Sequence, residues 1–398
     1  MDHEILNRAM AIQNDLTAHR RWLHCNAETG FELQSTTAYI RRELEKMGYS
    51  VNNCGRCGLT ASLGKPGKTF LLRADMDALP IREETGLDYA CASGNMHACG
   101  HDLHTAMLLG AARLLKELES QLNGTVKFMF QPAEEILSGA KDMMDAGGLN
   151  GVDAAMMIHV ATAVPIPAGT LLVSPAGVSA PGADYFTIRV RGKSCHGSAP
   201  QEGVDAITAG AQILLALQEL NAREIGMTDR AVLTIGTIQG GTAPNAIADS
   251  LTMRGTMRCF DEELRARLKQ RLTEIATGIA AAFRAEAFIT FDYGCPSLLN
   301  DESLCRNAEK WLTELLGPEK ALSVEKLNRG KTPTAGGSED FAWISRQVPS
   351  VMVSLAAGEP AKGHTNPLHH PQVTFDESAL PYGAAALAYT ALRYLKEA

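Results

Sequence analysis

The pattern of apolar and polar positions predicts helices in the first part of the chain and strands after them. Ile5, Ala9, Ile12, Leu16 and Trp22 recur at helical spacing and predict one N-terminal helix. A second helix is predicted over 34–47, ended by the glycine at position 48. Continuous apolar runs, typical of buried central strands, follow at 69–74, 125–130 and 154–158.

Each of these three runs ends in acidic or imidazole side chains. Asp75 and Asp77 follow the first, Glu134 and Glu135 follow the second, and His159 ends the third. Open α/β sheets carry their active sites at the carboxyl ends of their strands. The coincidence at three strands therefore predicts a single site at this edge of the sheet.

The segment 96–110, between the first two of these strands, concentrates a thiol, three imidazoles and a carboxylate in a short loop. Thiolate and neutral imidazole are preferred ligands of zinc and its first-row neighbours. Cys99 and His101 are two residues apart, and a turn at Gly100 would let both reach one ion, because glycine tolerates the required backbone angles. The alternative is a helix N-terminus that carries histidines, with Asp102 as a favourable charge. The three strand ends favour the metal site.

From residue 182 the pattern changes to the period-two alternation of half-exposed strands. Strands are predicted at 184–190, 231–235, 250–258 and 287–291, and helices at 204–220 and 261–283. This β-α-β-β-α-β order is ferredoxin-like. An α/β pattern then resumes, with a helix at 303–316, a strand at 350–355 and a terminal helix.

The predicted fold is therefore α/β with two domains. An α/β domain takes in residues 1–181 and 294–398. An α+β domain at 182–293 is inserted into it.

Composition narrows the classes of function. The formal net charge of −8 over 398 residues argues against nucleic acid as a partner. Neither an apolar run of transmembrane length nor a signal-like start is present, so no membrane partner is expected. Nine scattered cysteines predict a reduced, cytoplasmic protein. Phosphate-binding, dinucleotide-binding and serine-hydrolase motifs were not found.

Five segments, at 73–80, 96–106, 131–135, 336–341 and 368–371, together resemble the aminoacylase-type amidohydrolase branch of the dinuclear metallopeptidases. That branch includes hippurate hydrolases, N-acyl-amino-acid amidohydrolases, N-acetyl-diaminopimelate deacetylases and plant auxin-conjugate hydrolases. The resemblance covers essentially the whole chain, in order. It implies that residues 1–181 and 294–398 form a zinc-exopeptidase-like catalytic domain, with a mixed central sheet flanked by helices and two divalent metal ions (Zn, Mn or Co). It also implies that the inserted domain is a lid that forms a homodimer.

The resemblance also implies roles for residues near the strand ends. The implied metal ligands are Cys99, His101, Glu135, His159 and His369. His369 is preferred to His370 because the family pattern places the ligand two residues before a proline. Glu134 would be the general base and Asp77 would orient a ligand. Asp75 occupies the place of a histidine ligand in other branches and is left out of the ligand set, whereas Asp102 and His104 are expected to support the ligands by hydrogen bonds.

In the inserted domain the resemblance singles out His196, Asn245 and Arg258. His196 would reach the partner's active site and stabilise the oxyanion; the alternative is a histidine that only caps a turn. Asn245 would hold the substrate. Arg258 would bind an amino-acid carboxylate, and the alternative is a salt bridge on the strand surface. Glu339 and Asp340 lie in a glycine-rich loop and are expected to be local capping and loop-shaping residues.

The predicted function is metal-dependent hydrolysis of the amide bond of N-acyl amino acids, with an acetyl, benzoyl or related acyl group. Rival predictions are a metallo-carboxypeptidase or dipeptidase on the same fold, an N-acetyl-diaminopimelate deacetylase, and a non-catalytic binding protein. Glu134 beside a full ligand set argues against the last of these. The chain departs from the family pattern in two places. Segment 24–28 lacks the proline that the family commonly has before the glutamate following its N-terminal histidine, and Cys195 stands where the family usually has glycine before its lid histidine. Neither departure touches the metal ligands.

Overall fold

The computed structural model describes residues 2–327 and 337–397. These residues form two compact units. The first takes in residues 2–179, 298–327 and 340–397, and the second takes in 180–297 and 337–339. The predicted inserted segment, 182–293, falls within the second unit.

The helices are bounded as follows: α1 (Asp2–Ala11), α2 (Gln13–Cys25), α3 (Gln34–Lys46), α4 (His101–Glu117), α5 (Gly139–Asp145), α6 (Ala206–Ala216), α7 (Glu262–Ala282), α8 (Glu302–Leu316), α9 (Val324–Leu327), α10 (Ala342–Ser345) and α11 (Leu380–Glu397). The strands are β1 (Val51–Cys54), β2 (Gly58–Gly64), β3 (Thr69–Asp75), β4 (Thr125–Gln131), β5 (Ala154–Ala161), β6 (Leu171–Val173), β7 (Gly177–Ala180), β8 (Gly182–Arg191), β9 (Cys195–His196), β10 (Ala231–Gly240), β11 (Ala246–Ile247), β12 (Ser250–Cys259), β13 (Glu286–Cys295), β14 (Leu298–Asn300), β15 (Ala321–Ser323) and β16 (Ser350–Ala356).

The first unit is built on an eight-stranded sheet in the order β1-β2-β4-β3-β5-β16-β6-β15. Its four central strands, β4, β3, β5 and β16, run parallel, while β2 and β6 pair antiparallel to their neighbours β4 and β16. The mixed central sheet flanked by helices is therefore confirmed. Because the central strands are parallel, their carboxyl ends meet at one edge of the sheet.

Burial explains why the central runs are almost wholly apolar. In β3 every residue after Thr69 is buried, and α4 packs between α2 and α11, burying most of its side chains as well. Strands and helices covered on both sides have no face that needs polar residues.

The prediction of one N-terminal helix was wrong at Ile12. The chain forms α1 and α2 on either side of this residue, whose N–H bonds the Ala9 carbonyl three residues back. Ile5, Ala9 and Leu16 all lie in the same core, so the apolar period continues across the break and conceals it.

The second unit contains a four-stranded antiparallel sheet in the order β10-β12-β8-β13. Helices α6 and α7 share one core with one face of this sheet, including Phe186, Ile188 and Met257. The succession of strands and helices is the predicted β-α-β-β-α-β. A short ladder joins β9 to β11 beside it.

Within residues 2–327 and 337–397, no helix is both long enough and apolar enough to cross a membrane.

Candidate metal centre and active site

The loop before α4 turns at Gly100, as the sequence predicts. Gly100 has a φ of +86°, and a Cβ atom there would lie 2.3 Å from Cγ2 of Val160. Only glycine satisfies both the left-handed backbone and the close approach. The turn places Cys99 just before the helix and His101 in its first turn.

The structure brings all five predicted ligands together at the carboxyl ends of the central strands. Sγ of Cys99 lies 3.5 Å from Nε2 of His159 and 3.3 Å from Nε2 of His369. Oε2 of Glu135 lies 3.6 Å from Nε2 of His369, and Oε1 lies 3.8 Å from Nε2 of His101. We call these five residues the donor cluster.

The donor cluster contains two overlapping groups of possible ligand atoms. One is Cys99, His101 and His159, and the other is Cys99, Glu135 and His369, with all ligand atoms of a group within 4.8 Å of one another. Cys99 belongs to both groups. Thiolate, imidazole and carboxylate together suit zinc and related divalent ions.

Backbone carbonyls fix how two of the histidine rings face. Nδ1–H of His101 donates to the Asp77 carbonyl over 2.8 Å, and Nδ1–H of His159 donates to the Val160 carbonyl over 2.8 Å. In the neutral ring, the hydrogen on Nδ1 leaves a lone pair on Nε2, and Nε2 of each ring faces the cluster. Metal-binding histidines are commonly oriented in this way.

Two buried atoms of the donor cluster have no hydrogen-bond partner. They are Nε2 of His101 and Oε1 of Glu135. Most buried polar atoms in folded proteins are paired, so an unpaired nitrogen and an unpaired carboxylate oxygen 3.8 Å apart need an explanation. A divalent cation explains both, and the donor set therefore fits a metal centre.

Burial also controls the charge of the cluster. It raises the pKa of Cys99 well above its ordinary value and the pKa of Glu135 to about 7. Both groups hold their protons more tightly than in water, and a cation that binds them must displace those protons.

Asp77 holds the segment that carries Glu134. Its carboxylate accepts the backbone N–H of Glu134 over 2.9 Å and that of Glu135 over 3.2 Å. Oε2 of Glu134 lies 3.9 Å from Nε2 of His101, and Glu134 is buried. Glu134 is thus fixed at the rim of the donor cluster beside a potential ligand.

His369 reaches the donor cluster in a strained backbone conformation. Its φ is +66°, which is unusual for a residue with a side chain, and its N–H donates to the Ala98 carbonyl over 2.8 Å. Its side chain is half exposed, so it borders the open side of the cluster. His370 instead accepts the N–H of Gln372 in a local turn.

His104 and Asp75 lie behind the cluster. Nδ1–H of His104 donates to Asp75 over 2.5 Å, and its Nε2 accepts the Val160 N–H over 2.8 Å. Both ring nitrogens are occupied, so His104 supports the His159–Val160 segment and is not available to a metal. Burial lowers the pKa of His104 to about 4, which favours this neutral ring.

The expectation that Asp340 is a local capping residue was wrong. Asp340 is buried, and its carboxylate accepts from Arg73 over 2.8 Å, from the Gln131 side chain over 2.6 Å and from the Ala140 N–H over 2.9 Å. Arg73 also donates to Asp75 over 2.7 Å. We call Arg73, Asp75, His104 and Asp340 the supporting layer. A charged residue inside the apolar run 69–74 was the signal for it.

Asp102 joins a second buried set of charges. It pairs with Nε of Arg20 over 2.8 Å and with Nδ1 of His24 over 2.8 Å. Nε2 of His24 lies 3.1 Å from Glu83. No role was predicted from the sequence for Arg20, His24 or Glu83, because the carboxylates that pair with Arg20 and His24 are distant from them in the chain.

In the second unit, His196 and Asn245 are neighbours. His196 pairs with Ala246 across the β9–β11 ladder, and the Asn245 carbonyl accepts the Gly197 N–H over 2.8 Å. Nδ1 of His196 accepts the Ser198 N–H over 3.2 Å. The turn contact of the alternative prediction is therefore present, and in the neutral ring it leaves the hydrogen on Nε2.

Arg258 does not form the surface salt bridge considered as its alternative. It donates to the Tyr185 hydroxyl over 2.7 Å and to Ser338 Oγ over 2.9 Å, with no carboxylate of the described residues in ion-pair range.

Residues 71–393 match the model of peptidase family M20/M25/M40. The chain belongs to this family. The resemblance inferred from the five motifs is thereby confirmed.

Curated relatives cover nearly the whole chain. IAA-amino acid hydrolase ILR1-like 2 of Arabidopsis thaliana is 38% identical over 95% of this chain and 84% of its own. N-acetyl-L-cysteine deacetylase of Bacillus subtilis is 36% identical over 96% and 89%. Thermostable carboxypeptidase 2 of Saccharolobus solfataricus is 35% identical over 98% of both chains.

A solved structure agrees with the fold. A dinuclear metal-binding M20 peptidase of Bacillus subtilis is 35% identical and superposes with a TM-score of 0.78, over 97% of this chain and 99% of its own.

Proposed function

We propose that this hydrolase is a metal-dependent amidohydrolase that cleaves N-acyl amino acids into a carboxylate and a free amino acid. The observation that carries the proposal is the donor cluster, with its unpaired atoms, beside the buried carboxylate of Glu134. Relatives named for hydrolysis of conjugated or acetylated amino acids support the substrate class.

In this proposal the donor cluster holds two divalent cations, of zinc, manganese or cobalt. When bound, such cations supply Lewis-acid chemistry: they polarise a carbonyl and lower the pKa of water towards neutrality. Thiolate and imidazole donors fit zinc or cobalt well, and availability in the cell decides among the metals.

Glu134 is the proposed general base. It takes a proton from the water that attacks the acyl carbonyl and delivers it to the leaving amine nitrogen, as a carboxylate fixed beside the reacting atoms can. Asp77 positions Glu134 through the backbone bonds of 2.9 and 3.2 Å.

Residues of the second unit complete the proposal. His196 of the partner subunit donates through Nε2 to the oxyanion, which such a preorganised donor stabilises by about 3 kcal/mol. Asn245 holds the substrate, and Arg258 binds its carboxylate. The proposed location is the cytoplasm.

We also propose that the second unit forms a homodimer. Strand β10 pairs on one side only within the described residues, and it exposes Val232 and Ile238 at 50% and 49%. Leu215 of α6 is 64% exposed. An unpaired edge strand beside exposed apolar side chains is a surface that pairing with a second copy would cover. Sedimentation should give a dimer, and Leu215→Glu should shift it towards monomer.

The test of function is hydrolysis by chelator-stripped protein with zinc, manganese or cobalt added back. The panel holds acetyl-, benzoyl- and long-chain-acyl amino acids, indole-acetyl conjugates, N-acetyl-diaminopimelate, N-blocked peptides and free dipeptides. We expect metal-dependent turnover of acylated amino acids. Turnover of peptides alone would contradict the proposal and indicate a carboxypeptidase or dipeptidase. Binding of metal without turnover of any substrate would also contradict the proposal.

A further inference from the structure

Arg258 is held differently from a neighbouring arginine of the second unit. Its Nη2 donates to the Tyr185 hydroxyl over 2.7 Å and its Nη1 to Ser338 Oγ over 2.9 Å. Arg265, by contrast, donates to both carboxylate oxygens of Asp184 over 2.6 and 2.9 Å. Two neutral hydroxyls therefore fix the guanidinium group of Arg258, and no carboxylate of the described residues neutralises its charge.

Tyr185 is a rigid partner for this guanidinium group. Strands β8 and β12 pair so that Tyr185 and Arg258 lie on the same face, and α6 and α7 share a core with the opposite face through Phe186 and Met257. The Tyr185 ring stacks on the Tyr293 ring, with centroids 4.3 Å apart and planes at 22°. The phenol is thus held in place on the face of the sheet opposite α6 and α7.

The two side chains still have hydrogen-bond donors to offer. A guanidinium group has five N–H donors, and the hydroxyls of Tyr185 and Ser338 use one each. The Tyr185 oxygen accepts from Arg258, and its own hydrogen has no acceptor among the described residues. An uncompensated guanidinium group beside a free phenol O–H matches a carboxylate, which accepts several hydrogen bonds and supplies the missing charge.

We infer that Tyr185 is a positioning residue that holds Arg258 ready for the α-carboxylate of the substrate. The enzyme then selects N-acyl amino acids with a free α-carboxylate over the corresponding α-amides. This inference rests on the proposed function, and it assigns the selection to the Tyr185 hydroxyl, since the ring is retained in phenylalanine.

The experiment compares two substrates on the metal-loaded enzyme. They are the acylated amino acid that the wild type hydrolyses best and its α-carboxamide. We expect Tyr185→Phe to raise KM for the acid about tenfold, as expected for loss of a hydrogen bond to a charged group, with kcat unchanged and KM for the amide unchanged. Tyr293→Phe is the matched control: it keeps the stacked ring and removes a hydroxyl not bonded to Arg258, and both substrates should behave as with the wild type.

If Tyr185→Phe raised KM for the acid and for the amide equally, Tyr185 would have only a structural role and the inference would be overturned. The inference would also be overturned if KM for both substrates stayed at its wild-type value. Calorimetric titration with N-acetyl-L-methionine and N-acetyl-L-methioninamide separates this failure from failure of the proposed function, because it needs no turnover. Tighter binding of the acid by the wild type, lost in Tyr185→Phe, supports the inference even if no substrate is cleaved. Equal binding of acid and amide by the wild type contradicts it.

Discussion

The donor cluster and the supporting layer behind it differ in whether their buried polar atoms have hydrogen-bond partners. In the cluster, a buried nitrogen of His101 and a buried oxygen of Glu135 have no hydrogen-bond partner. In the supporting layer, Asp340 accepts three hydrogen bonds and Arg73 bridges it to Asp75. Between these two sets of residues, pairing is complete in the supporting layer and incomplete in the donor cluster, where a bound cation would complete it.

The largest expected effect is a difference in stability between matched carboxylate-to-amide substitutions, one in the supporting layer and one in the donor cluster. Asp340→Asn removes one of the two carboxylates that compensate the buried Arg73 charge and should cost about 3–5 kcal/mol in the free energy of unfolding. Glu135→Gln changes a group with an unpaired oxygen and should leave the stability of chelator-treated protein within about 0.5 kcal/mol of the wild type. Urea unfolding of both variants measures this. Similar losses in both would show that the cluster is structurally paired after all.

Glu134→Gln should lower kcat by about a hundredfold or more, because general acid–base catalysis has that magnitude. Metal content and thermal stability should stay at wild-type values, since Glu134 is proposed to handle protons and the donor cluster to hold metal. Steady-state kinetics with metal analysis of the same samples checks both points. A loss below about tenfold would contradict the role assigned to Glu134.

His104→Gln tests whether the supporting layer acts on the cluster. The substitution disturbs the Asp75–His104–Val160 connection next to His159, and support of this kind is worth about 10- to 100-fold in metal affinity. Competition with a chelator of known affinity measures the change. His19→Gln is the control, because His19 bonds Tyr39 away from the cluster. Equal metal affinities in the two variants would contradict the role of the supporting layer in holding the metal ligands.

The smallest expected effect concerns His24 and pH. Burial alone would lower its pKa, but hydrogen bonds to Asp102 and Glu83 outweigh burial and raise it. A raised pKa means that the folded state binds the proton more tightly, so the stabilisation is complete below about pH 6.5 and is lost as pH rises through the folded value.

The difference in unfolding free energy between wild type and His24→Gln should therefore be largest near pH 6 and shrink above pH 6.5. Unfolding curves at several pH values measure it. A difference that grows with pH would mean that His24 is neutral in the folded protein.

Local sequence patterns predicted the parts of the fold and site that local forces decide. The apolar runs located β3, β4 and β5, and the glycine between Cys99 and His101 located the turn. Pairings between distant residues were out of reach: Arg73 and Asp340 are 267 positions apart. Periodicity reports which face of an element is buried, but it carries no information about which distant charge will meet another.

The most direct test of the metal centre is titration of metal-free protein with Co²⁺, followed by absorption. Thiolate coordination gives an intense near-ultraviolet charge-transfer band and tetrahedral donors give visible bands. The account predicts bands that saturate at about two ions per chain, with the thiolate band absent in Cys99→Ser. A thiolate band that persists in Cys99→Ser, or a protein that binds no Co²⁺, would contradict the claim that the donor cluster binds metal through Cys99.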